Sequence, residues 1–386
     1  MTAIRAWLIS AITRGLSAFQ GTPPPLPAQP RRILILKPCC LGDVLFTTPL
    51  VAAVRQRYPD VHITFGVTAW ARPMVSSNRH LDEVWTLPER WTVGSFHATL
   101  QSLHQRPVDL VIVPDRSPLL SLLVALARIP VRVGLDSQGR GFGYTHAVPV
   151  PDTLLHEADL YNLLAPALDI AAVERRLHFH IPPEARQQAA HILATIRALA
   201  AQSHGERRRL LVVHVGGGIN PGMTLARKRW LPERWAIVLE QLYATYRVQI
   251  VLVGGPSDAE AVQAVRTHLS IPHVALVQAW AWSALAAFLA QADLFLGHDT
   301  GMLHLACAVG TPVVAIFGPS DPQMYGPYGA TSLTLWQPTP ASPCFQQGSA
   351  PPDCPCQHQC MRNIEPQAVY QAAAHLLEGQ RHPPSA

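Results

Sequence analysis

The stretch from Arg32 to Tyr58 reads RILILKPCCLGDVLFTTPLVAAVRQRY, and it decides the fold class. Residues 33–36 are a short apolar run, which is typical of a buried parallel strand. Residues 49–58 have the apolar spacing of a helix, with Thr48 as the expected N-cap and Pro49 in the first turn. Residues 37–48 are then the connecting turn. This order of strand, turn and helix predicts a doubly wound parallel sheet.

The same alternation continues along the whole chain, whose 386 residues exceed what one ordinary core needs. Further strands are predicted at residues 62–67, 109–113, 132–135, 210–215, 249–253, 273–277, 294–297 and 313–317. Helical patterns separate most of these runs. We therefore predict an α/β fold of two Rossmann-like doubly wound domains that face a central cleft.

Proline clusters and helical patterns divide the chain into five predicted segments. They are an N-terminal extension with a Pro-rich linker (1–30), a Rossmann-like domain (31–180), a linker helix (181–205), a second Rossmann-like domain (206–365), and a C-terminal helix and tail (366–386). The final helical pattern could return to the first domain.

Composition excludes several classes of protein. The formal charge of +5 is mild and the arginines are scattered, so we expect no nucleic-acid partner. No apolar run reaches the length of a membrane-spanning helix, and residues 1–20 lack the uninterrupted core of a secretory signal. We expect a cytoplasmic protein.

Within residues 1–20 the apolar positions recur at helical spacing beside Arg5 and Arg14. This pattern favours either peripheral contact with the inner face of the membrane or docking on the protein itself.

Three polar motifs follow predicted strands, where ligands bind in open parallel sheets. Lys37-Pro-Cys-Cys-Leu-Gly-Asp follows the first strand, Gly216-Gly-Gly begins the second domain's first loop, and His298-Asp-Thr-Gly-Met-Leu-His follows the strand at 294–297. Neither domain carries a GxGxxG fingerprint, so a plain NAD enzyme is disfavoured. Among 30 basic residues only Lys37 and Lys228 are lysines, which singles them out as positions where a compact ammonium is needed.

Together these motifs resemble glycosyltransferase family 9, the ADP-heptose:lipopolysaccharide heptosyltransferases and their relatives. The resemblance runs through residues 31–370, in ILILKPCCLGDVLFTTPLVAAVRQRYPDVHITFGV, DLVIVPDRSPLL, HEADLYNLL, RKRWLPERW, VLVGGPSD, DLFLGHDTGMLHLACAVGTPVVAIFGPSDPQMYGP and CPCQHQCMRNIEPQAV. It implies a GT-B fold, an acceptor-binding N-terminal domain, a C-terminal domain that binds the nucleotide sugar, and metal-independent transfer with inversion.

On the acceptor side, Asp43 is the candidate general base that removes the proton of the attacking hydroxyl, a position at which the family has its proposed catalytic Asp. The structural alternative is that Asp43 only caps a helix. Gly42 allows close backbone approach to the sugar or a phosphate. Lys37 is a candidate to face either an anionic acceptor or its own fold, and Arg116 is a further candidate on the acceptor side.

On the sugar-donor side, Lys228 stands where the family has its phosphate-contacting lysine, and we count it among the catalytic residues because it stabilises the leaving diphosphate. The helix that begins near Thr300 should direct free N–H groups at the phosphates, whereas Asp299 caps the helix or contacts sugar hydroxyls. A core role is the alternative for His304. The full set of sugar-donor candidates is Gly216, Gly217, Thr224, Lys228, Asp299, Thr300, Gly301 and His304.

Seven cysteines do not form the framework of a secreted protein, and we expect reduced thiols at Cys39, Cys40 and Cys307. For Cys344, Cys354, Cys356 and Cys360, near His358, a structural zinc ion, reduced thiols and a disulfide all remain open.

The function predicted is therefore an inverting, metal-independent glycosyltransferase that needs no cofactor. It moves a sugar, with heptose from ADP-heptose as the family's example, from a nucleotide diphosphate to a cell-surface glycan or glycolipid. The alternatives are a catalytically inactive nucleotide-sugar-binding protein and a GT-B-like epimerase or phosphorylase.

Overall fold

The computed structural model describes residues 22–204, 208–220, 223–345 and 353–379. The amphipathic helix predicted within residues 1–20 lies outside these ranges. The chain divides after His178 into two compact units, the N-terminal and the C-terminal domain.

The N-terminal domain is built on one parallel sheet in the order β3-β2-β1-β4-β5-β6. Its elements are β1 (Arg32–Leu36), α1 (Leu41–Arg57), β2 (His62–Thr68), β3 (Glu83–Leu87), α2 (Val93–His104), β4 (Leu110–Val113), α3 (Pro118–Leu126), β5 (Val131–Asp136), β6 (His146–Pro149) and α4 (Glu157–Asn162). β1 is central and its apolar residues are almost fully buried. This strand order, in which the chain winds outward from β1 in both directions, is that of the Rossmann fold.

The C-terminal domain repeats the architecture, with β11-β10-β7-β12-β13-β14 as its parallel sheet. Its elements are α5 (Pro183–His204), β7 (Leu210–His214), β8 (Ile219–Asn220), β9 (Met223–Thr224), α6 (Pro232–Tyr246), β10 (Gln249–Gly254), α7 (Ala259–Arg266), β11 (Val274–Val277), α8 (Trp282–Leu289), β12 (Leu294–His298), α9 (Gly301–Ala308), β13 (Val313–Phe317), α10 (Pro322–Tyr325), β14 (Ser332–Trp336), α11 (Gln359–Arg362) and α12 (Pro366–Gly379). The prediction of two Rossmann-like sheets is confirmed.

Besides the two-residue strands β8 and β9, three strands escaped the sequence prediction, and these three lie at the edges of the two parallel sheets. β3, β6 and β14 each pair with a single neighbour. Nearly all of their residues are partly buried or exposed, whereas the central strands are buried almost throughout. An edge strand needs fewer apolar residues than a central one, so these runs lack the pattern by which central strands are found.

The first helix begins at Leu41, eight residues before the predicted start. Pro49 lies inside α1 rather than in its first turn. A proline there cannot donate to the Leu45 carbonyl, but the Thr48 hydroxyl donates to that carbonyl at 2.6 Å. This substitute bond lets the helix pass through Pro49, and it moves Gly42 and Asp43 from the predicted loop into the first helical turn.

The last helix packs within the C-terminal domain. Val369, Ala373 and Leu377 of α12 are buried in the core formed by α6 and the strands of the second sheet. Among the described residues, no helix combines the length and apolar character that a membrane crossing requires.

Candidate active site

Asp43 lies in the first turn of α1, just beyond the carboxyl end of β1. Its Oδ2 accepts a hydrogen bond from the Cys40 backbone N–H at 3.1 Å, and its Oδ1 accepts one from the Tyr161 hydroxyl at 2.9 Å. The first bond is the helix-capping contact that was the alternative to a catalytic role. Asp43 is half-buried, so these two bonds hold an oriented carboxylate that is not sealed in the core.

Tyr161 keeps its proton for this bond. Burial raises the pKa of the phenol well above its usual value, and the nearby carboxylates of Asp43 and Glu157 raise it further. Tyr161 therefore acts as a fixed hydrogen-bond donor to Asp43.

Lys37 is buried beneath this carboxylate. Its ammonium bonds Asp115 Oδ2 at 2.9 Å and lies 4.6 Å from the centre of the Tyr161 ring. Burial alone would lower the pKa of Lys37, but the charges of Asp115, Asp43 and Glu157 outweigh it and raise the pKa. A charged Lys37 that already holds a buried ion pair with Asp115 agrees with the second of its two predicted roles, an interaction with its own fold.

Arg116 is likewise engaged, because its guanidinium bonds Glu157 Oε1 at 2.6 Å. Glu157 is 1% exposed, and its second oxygen is buried without a hydrogen-bond partner. We name Lys37, Asp43, Asp115, Arg116, Glu157 and Tyr161 the Asp43 cluster.

The two cysteines before the helix correct one expectation. Cys39 and Cys40 were expected as thiols, yet a disulfide joins them. Cys40 is the N-cap residue of α1, so this bond lies directly beside the N–H group that holds Asp43. Cys307, in contrast, is a buried thiol whose pKa is raised to about 12 by burial.

In the C-terminal domain, Lys228 and Asp299 form a buried ion pair. The ammonium also donates to the Asp299 backbone carbonyl at 3.1 Å, and His304 Nε2 lies 3.3 Å from Asp299 Oδ1. Burial opposes ionisation of Asp299, but Lys228 and His304 outweigh burial and hold the pKa of the carboxyl far below its usual range. His304 is thus a buried histidine in hydrogen-bonding distance of the Asp299 carboxylate.

Asp299 does not cap the next helix. Thr300 is the N-cap residue of α9, and its hydroxyl makes no capping bond. That hydroxyl lies 3.3 Å from Nδ1 of His214, the last residue of β7. On the other side of the ring, His214 Nε2 is 3.3 Å from Asp258 Oδ2. Thr300, His214 and Asp258 thus form a continuous buried chain of hydrogen bonds.

His298 connects the loops around this chain. It accepts the Trp230 backbone N–H through Nε2 at 2.9 Å, so its Nδ1 carries the proton and donates to the Gly216 carbonyl at 2.9 Å. Burial lowers the pKa of His298 to about 3, which keeps the ring neutral. We name His214, Lys228, Asp258, His298, Asp299, Thr300 and His304 the Lys228 cluster.

The glycine turn after β7 fits closely around these side chains. A Cβ atom on Gly216 would lie 2.1 Å from Asp258 Oδ1, and one on Gly217 would lie 2.1 Å from the Leu225 carbonyl oxygen. Both glycines are thus needed for close packing. Gly301 is the first residue of α9, where backbone N–H groups lack partners within the helix. Thr224 belongs to β9, and its side chain lies outside what the structure describes.

Sequence reasoning did not assign functions to Asp115, Glu157, Tyr161, His214, Asp258 and His298. Four of these, Asp115, His214, Asp258 and His298, lie at or just beyond the carboxyl ends of strands, which is where ligands bind in such sheets. Applying that rule to every strand would have found them. Tyr161 lies on α4, and only the packing of α4 beside α1 brings it to Asp43.

The four C-terminal cysteines are close together. The Sγ atoms of Cys354 and Cys356 are 3.9 Å apart, those of Cys356 and Cys360 are 3.8 Å apart, and Cys344 is within electrostatic range. All four are free thiols. Burial opposes ionisation of Cys356, but hydrogen bonds from the Cys360 backbone and from neighbouring side chains lower its pKa to about 7. No three or more His, Cys, Asp or Glu side chains of the described residues are arranged to hold a metal ion.

Comparison with known proteins agrees with this architecture. The model of glycosyltransferase family 9 (heptosyltransferase) matches residues 96–353. Lipopolysaccharide heptosyltransferase 3 of Escherichia coli is 24% identical over 313 residues, which cover 76% of this chain and 86% of that protein.

Solved structures show the same fold. A glycosyltransferase family 9 protein from Veillonella parvula superposes with a TM-score of 0.74 at 24% identity, covering 92% of this chain and 99% of that one. The ADP-heptose lipopolysaccharide heptosyltransferase II of E. coli superposes with a TM-score of 0.67 at 20% identity. The match covers 91% of this chain and 100% of that one.

Two parallel Rossmann-like sheets of this order, shared with these structures, are the GT-B fold. The match to the family model extends over most of the sequence. The chain belongs to glycosyltransferase family 9.

Proposed function

We propose that this chain is an inverting, metal-independent glycosyltransferase that transfers heptose from ADP-heptose to a glycan or glycolipid acceptor of the cell surface. One structural relative, the ADP-heptose lipopolysaccharide heptosyltransferase II of E. coli, supports ADP-heptose as the sugar donor. Relatives named as lipopolysaccharide heptosyltransferases support the class of acceptor.

In the proposed reaction Asp43 takes the proton from the attacking hydroxyl of the acceptor. The hydroxyl oxygen forms a bond to the anomeric carbon as the bond from that carbon to the diphosphate oxygen breaks. Attack from the face opposite the diphosphate inverts the configuration. The bonds from Tyr161 and the Cys40 N–H occupy one lone pair on each carboxylate oxygen and leave others to accept the proton.

The electron pair of the broken bond leaves with the diphosphate, and the Lys228 cluster is proposed to stabilise the growing charge. The ammonium has three N–H groups, and two of them are directed to Asp299. The ion pair fixes the position of Lys228 before substrate arrives, which is the preorganisation that makes electrostatic stabilisation effective. It also offsets the negative charge of Asp299, which would otherwise repel a diphosphate.

The observation that carries the proposal is the carboxylate of the half-buried Asp43, oriented by two hydrogen bonds just beyond the carboxyl end of β1. Asp43→Asn keeps the shape and removes the base. With ADP-heptose and a heptose-accepting lipopolysaccharide core, we expect kcat to fall by about 100-fold or more, while ADP affinity is unchanged.

Asp60→Asn is the matched control, because Asp60 is an exposed aspartate of the same domain. Near wild-type turnover by Asp43→Asn would show that Asp43 is not the base. Binding of ADP-heptose by the wild type without any transfer would favour a nucleotide-sugar-binding protein instead.

Full activity in excess EDTA is expected for metal-independent transfer. Analysis of the product's anomeric configuration by NMR tests inversion.

We propose a cytoplasmic enzyme that contacts the inner face of the membrane peripherally through residues 1–20. Co-sedimentation with vesicles rich in anionic lipid tests this contact. Deleting residues 1–20 should abolish the co-sedimentation, and equal binding by the truncated chain would contradict the proposal.

A structural zinc ion at Cys344, Cys354, Cys356 and Cys360 is a separate proposal. Sγ separations of 3.8–3.9 Å match neighbouring thiolates on a tetrahedral metal, for which a Zn–S distance of about 2.3 Å gives about 3.8 Å. Because the described ligands are not arranged for a metal, binding requires side-chain rearrangement. One zinc per purified chain, lost in Cys356→Ser, is expected. Four freely titratable thiols in metal-free, fully folded protein would contradict it.

A further inference from the structure

An aromatic ring holds the Lys228 ammonium together with Asp299. The ammonium nitrogen lies 4.6 Å from the centre of the Phe345 ring. At this distance the negative face of an aromatic ring attracts a cation. Phe345 belongs to none of the polar motifs and has no part in the reaction described above. The contact nevertheless joins it to the charge that is proposed to stabilise the diphosphate.

The three interacting groups are almost sealed from water. Lys228 is 6% exposed, Asp299 5% and Phe345 7%. Two N–H groups of the ammonium are directed to Asp299, and the ring covers another side of it. Because a cation and an aromatic face attract each other more strongly when water is excluded, the burial of all three groups strengthens the contact.

The ring supplies an attraction that the carboxylate does not provide alone. Asp299 is shared, since its Oδ2 pairs with Lys228 and its Oδ1 lies 3.3 Å from His304 Nε2. A buried ammonium needs favourable partners around it, and Phe345 is an additional one. An aliphatic side chain in its place would fill the same volume but would not attract the charge.

Two backbone hydrogen bonds fix where the ring lies. The N–H groups of Cys344 and Phe345 both donate to the Pro319 carbonyl, at 2.9 and 2.8 Å. Pro319 follows the carboxyl end of β13, and Asp299 follows the carboxyl end of the neighbouring parallel strand β12. Phe345 is therefore attached to the same edge of the sheet that carries the Lys228 cluster.

We infer that Phe345 is a positioning residue for the proposed transfer. Its ring holds the Lys228 ammonium beside Asp299 and keeps water away from it, and this role needs no contact with substrate. A fixed charge in a water-poor site acts on a developing phosphate charge more strongly than a hydrated one does. The inference rests on the proposed function, in which Lys228 stabilises the leaving diphosphate.

The experiment weakens the negative face of the ring and leaves its shape nearly unchanged. Phe345 is replaced by 4-fluoro-, 3,5-difluoro- and 3,4,5-trifluorophenylalanine through a reassigned codon, because each fluorine withdraws electron density from the face of the ring. Steady-state kinetics with ADP-heptose and acceptor give kcat, and calorimetry gives the Kd of ADP. The same three rings at Phe65, which is fully buried in the N-terminal domain, are the matched control.

We expect kcat to fall stepwise with the number of fluorines on Phe345, by about tenfold for the trifluorinated ring. Affinity for ADP should fall in the same order. Phe345→Leu keeps an apolar side chain but lacks the aromatic face, and it should lose about as much. The Phe65 series should leave kcat and the Kd of ADP unchanged.

The Lys228→Met background separates an effect on the ammonium from a general effect on packing. With no cation facing the ring, the fluorines on Phe345 should no longer change the affinity for ADP. A purely structural role of the ring would produce the same response with and without the ammonium.

A constant kcat along the Phe345 series, in proteins that thermal melts show to be folded, would overturn the inference. An equal response of ADP affinity in the wild-type and Lys228→Met backgrounds would also overturn it. A wild-type protein that neither binds ADP nor transfers heptose would instead contradict the proposed function. The two failures are therefore distinguishable.

Discussion

Lys228 has two roles, one in catalysis and one in stability, and a single substitution of this residue cannot separate them. In the proposed reaction it stabilises the leaving diphosphate, and in the folded protein it neutralises a buried Asp299. Removing one partner of a buried pair leaves an uncompensated charge, which typically costs about 3–5 kcal/mol. Loss of activity in a Lys228 variant could therefore arise from either effect.

A double variant separates them. Lys228→Met should lower transfer by about 100-fold or more and lower the free energy of unfolding by about 3 kcal/mol. Adding Asp299→Asn should recover most of the stability, because the unpaired charge is gone, but not the transfer rate. Denaturant melts and steady-state kinetics provide the two measurements. Recovery of transfer in the double variant would contradict a role of the ammonium in catalysis.

His298 predicts a dependence of stability on pH. Its pKa is about 3 in the folded protein, compared with 6.5 as the ordinary value, because it is buried. Below pH 6.5 the unfolded chain gains a proton at this residue that the folded chain does not, so stability falls as pH drops from 6.5 toward 3.

Between pH 7 and pH 5 this residue alone should remove about 2 kcal/mol of stability. His298→Asn lacks the titrating ring and should show a correspondingly smaller loss over the same interval, although it is less stable at pH 7. Urea melts at both pH values measure the difference. Parallel pH dependences of the two proteins would show that His298 is protonated equally in the folded and unfolded states.

At the scale of elements, α1 depends on one side chain to continue through a proline. The Thr48 hydroxyl donates to the Leu45 carbonyl and accepts the His178 N–H at 2.9 Å. Thr48→Val should therefore destabilise the protein by about 2–3 kcal/mol, since it leaves two polar groups unpaired.

Pro49→Ala supplies the backbone N–H group at position 49 that can donate to the Leu45 carbonyl. In that background Thr48→Val should cost about 1 kcal/mol less, because only the His178 N–H then remains unpaired. Equilibrium unfolding of the four proteins completes the double-mutant cycle. Strictly additive effects would show that the Thr48 hydroxyl does not substitute for the missing N–H.

At the scale of the whole molecule, the proposed tasks are divided between the domains. The Asp43 cluster is in the N-terminal domain and the Lys228 cluster is in the C-terminal one. A ligand that binds only the folded chain raises the free energy of unfolding by about 2.7 kcal/mol at 100 times its Kd.

ADP should therefore stabilise Asp43→Asn as much as the wild type, and Lys228→Met far less. Thermal shift measurements across a series of ADP concentrations test this, with the Lys228→Met, Asp299→Asn double variant as a control for intrinsic stability. If ADP raised the melting temperature of Asp43→Asn as little as it raises that of Lys228→Met, Asp43 would also contribute to binding of the sugar donor.

The sequence by itself determined the class of fold, the order of its elements and the key motifs. The central strands are continuous apolar runs because they are buried on both faces, and such runs are readable in a single sequence. The motifs around Asp43 and Asp299 were found because they follow two of these strands. Resemblance then connected them to one family of glycosyltransferases.

Only the tertiary structure decided how the polar groups pair. The bond from Tyr161 to Asp43 spans 118 positions and that from His214 to Asp258 spans 44, so no local pattern reveals either. The start of α1 was misplaced because Thr48-Pro49 is a strong local signal for the start of a helix, whereas in the structure Pro49 lies inside α1 and its cost is offset by the Thr48 hydroxyl. Local propensity is encoded along the chain, whereas the partner of a buried polar atom depends on which elements the fold brings together.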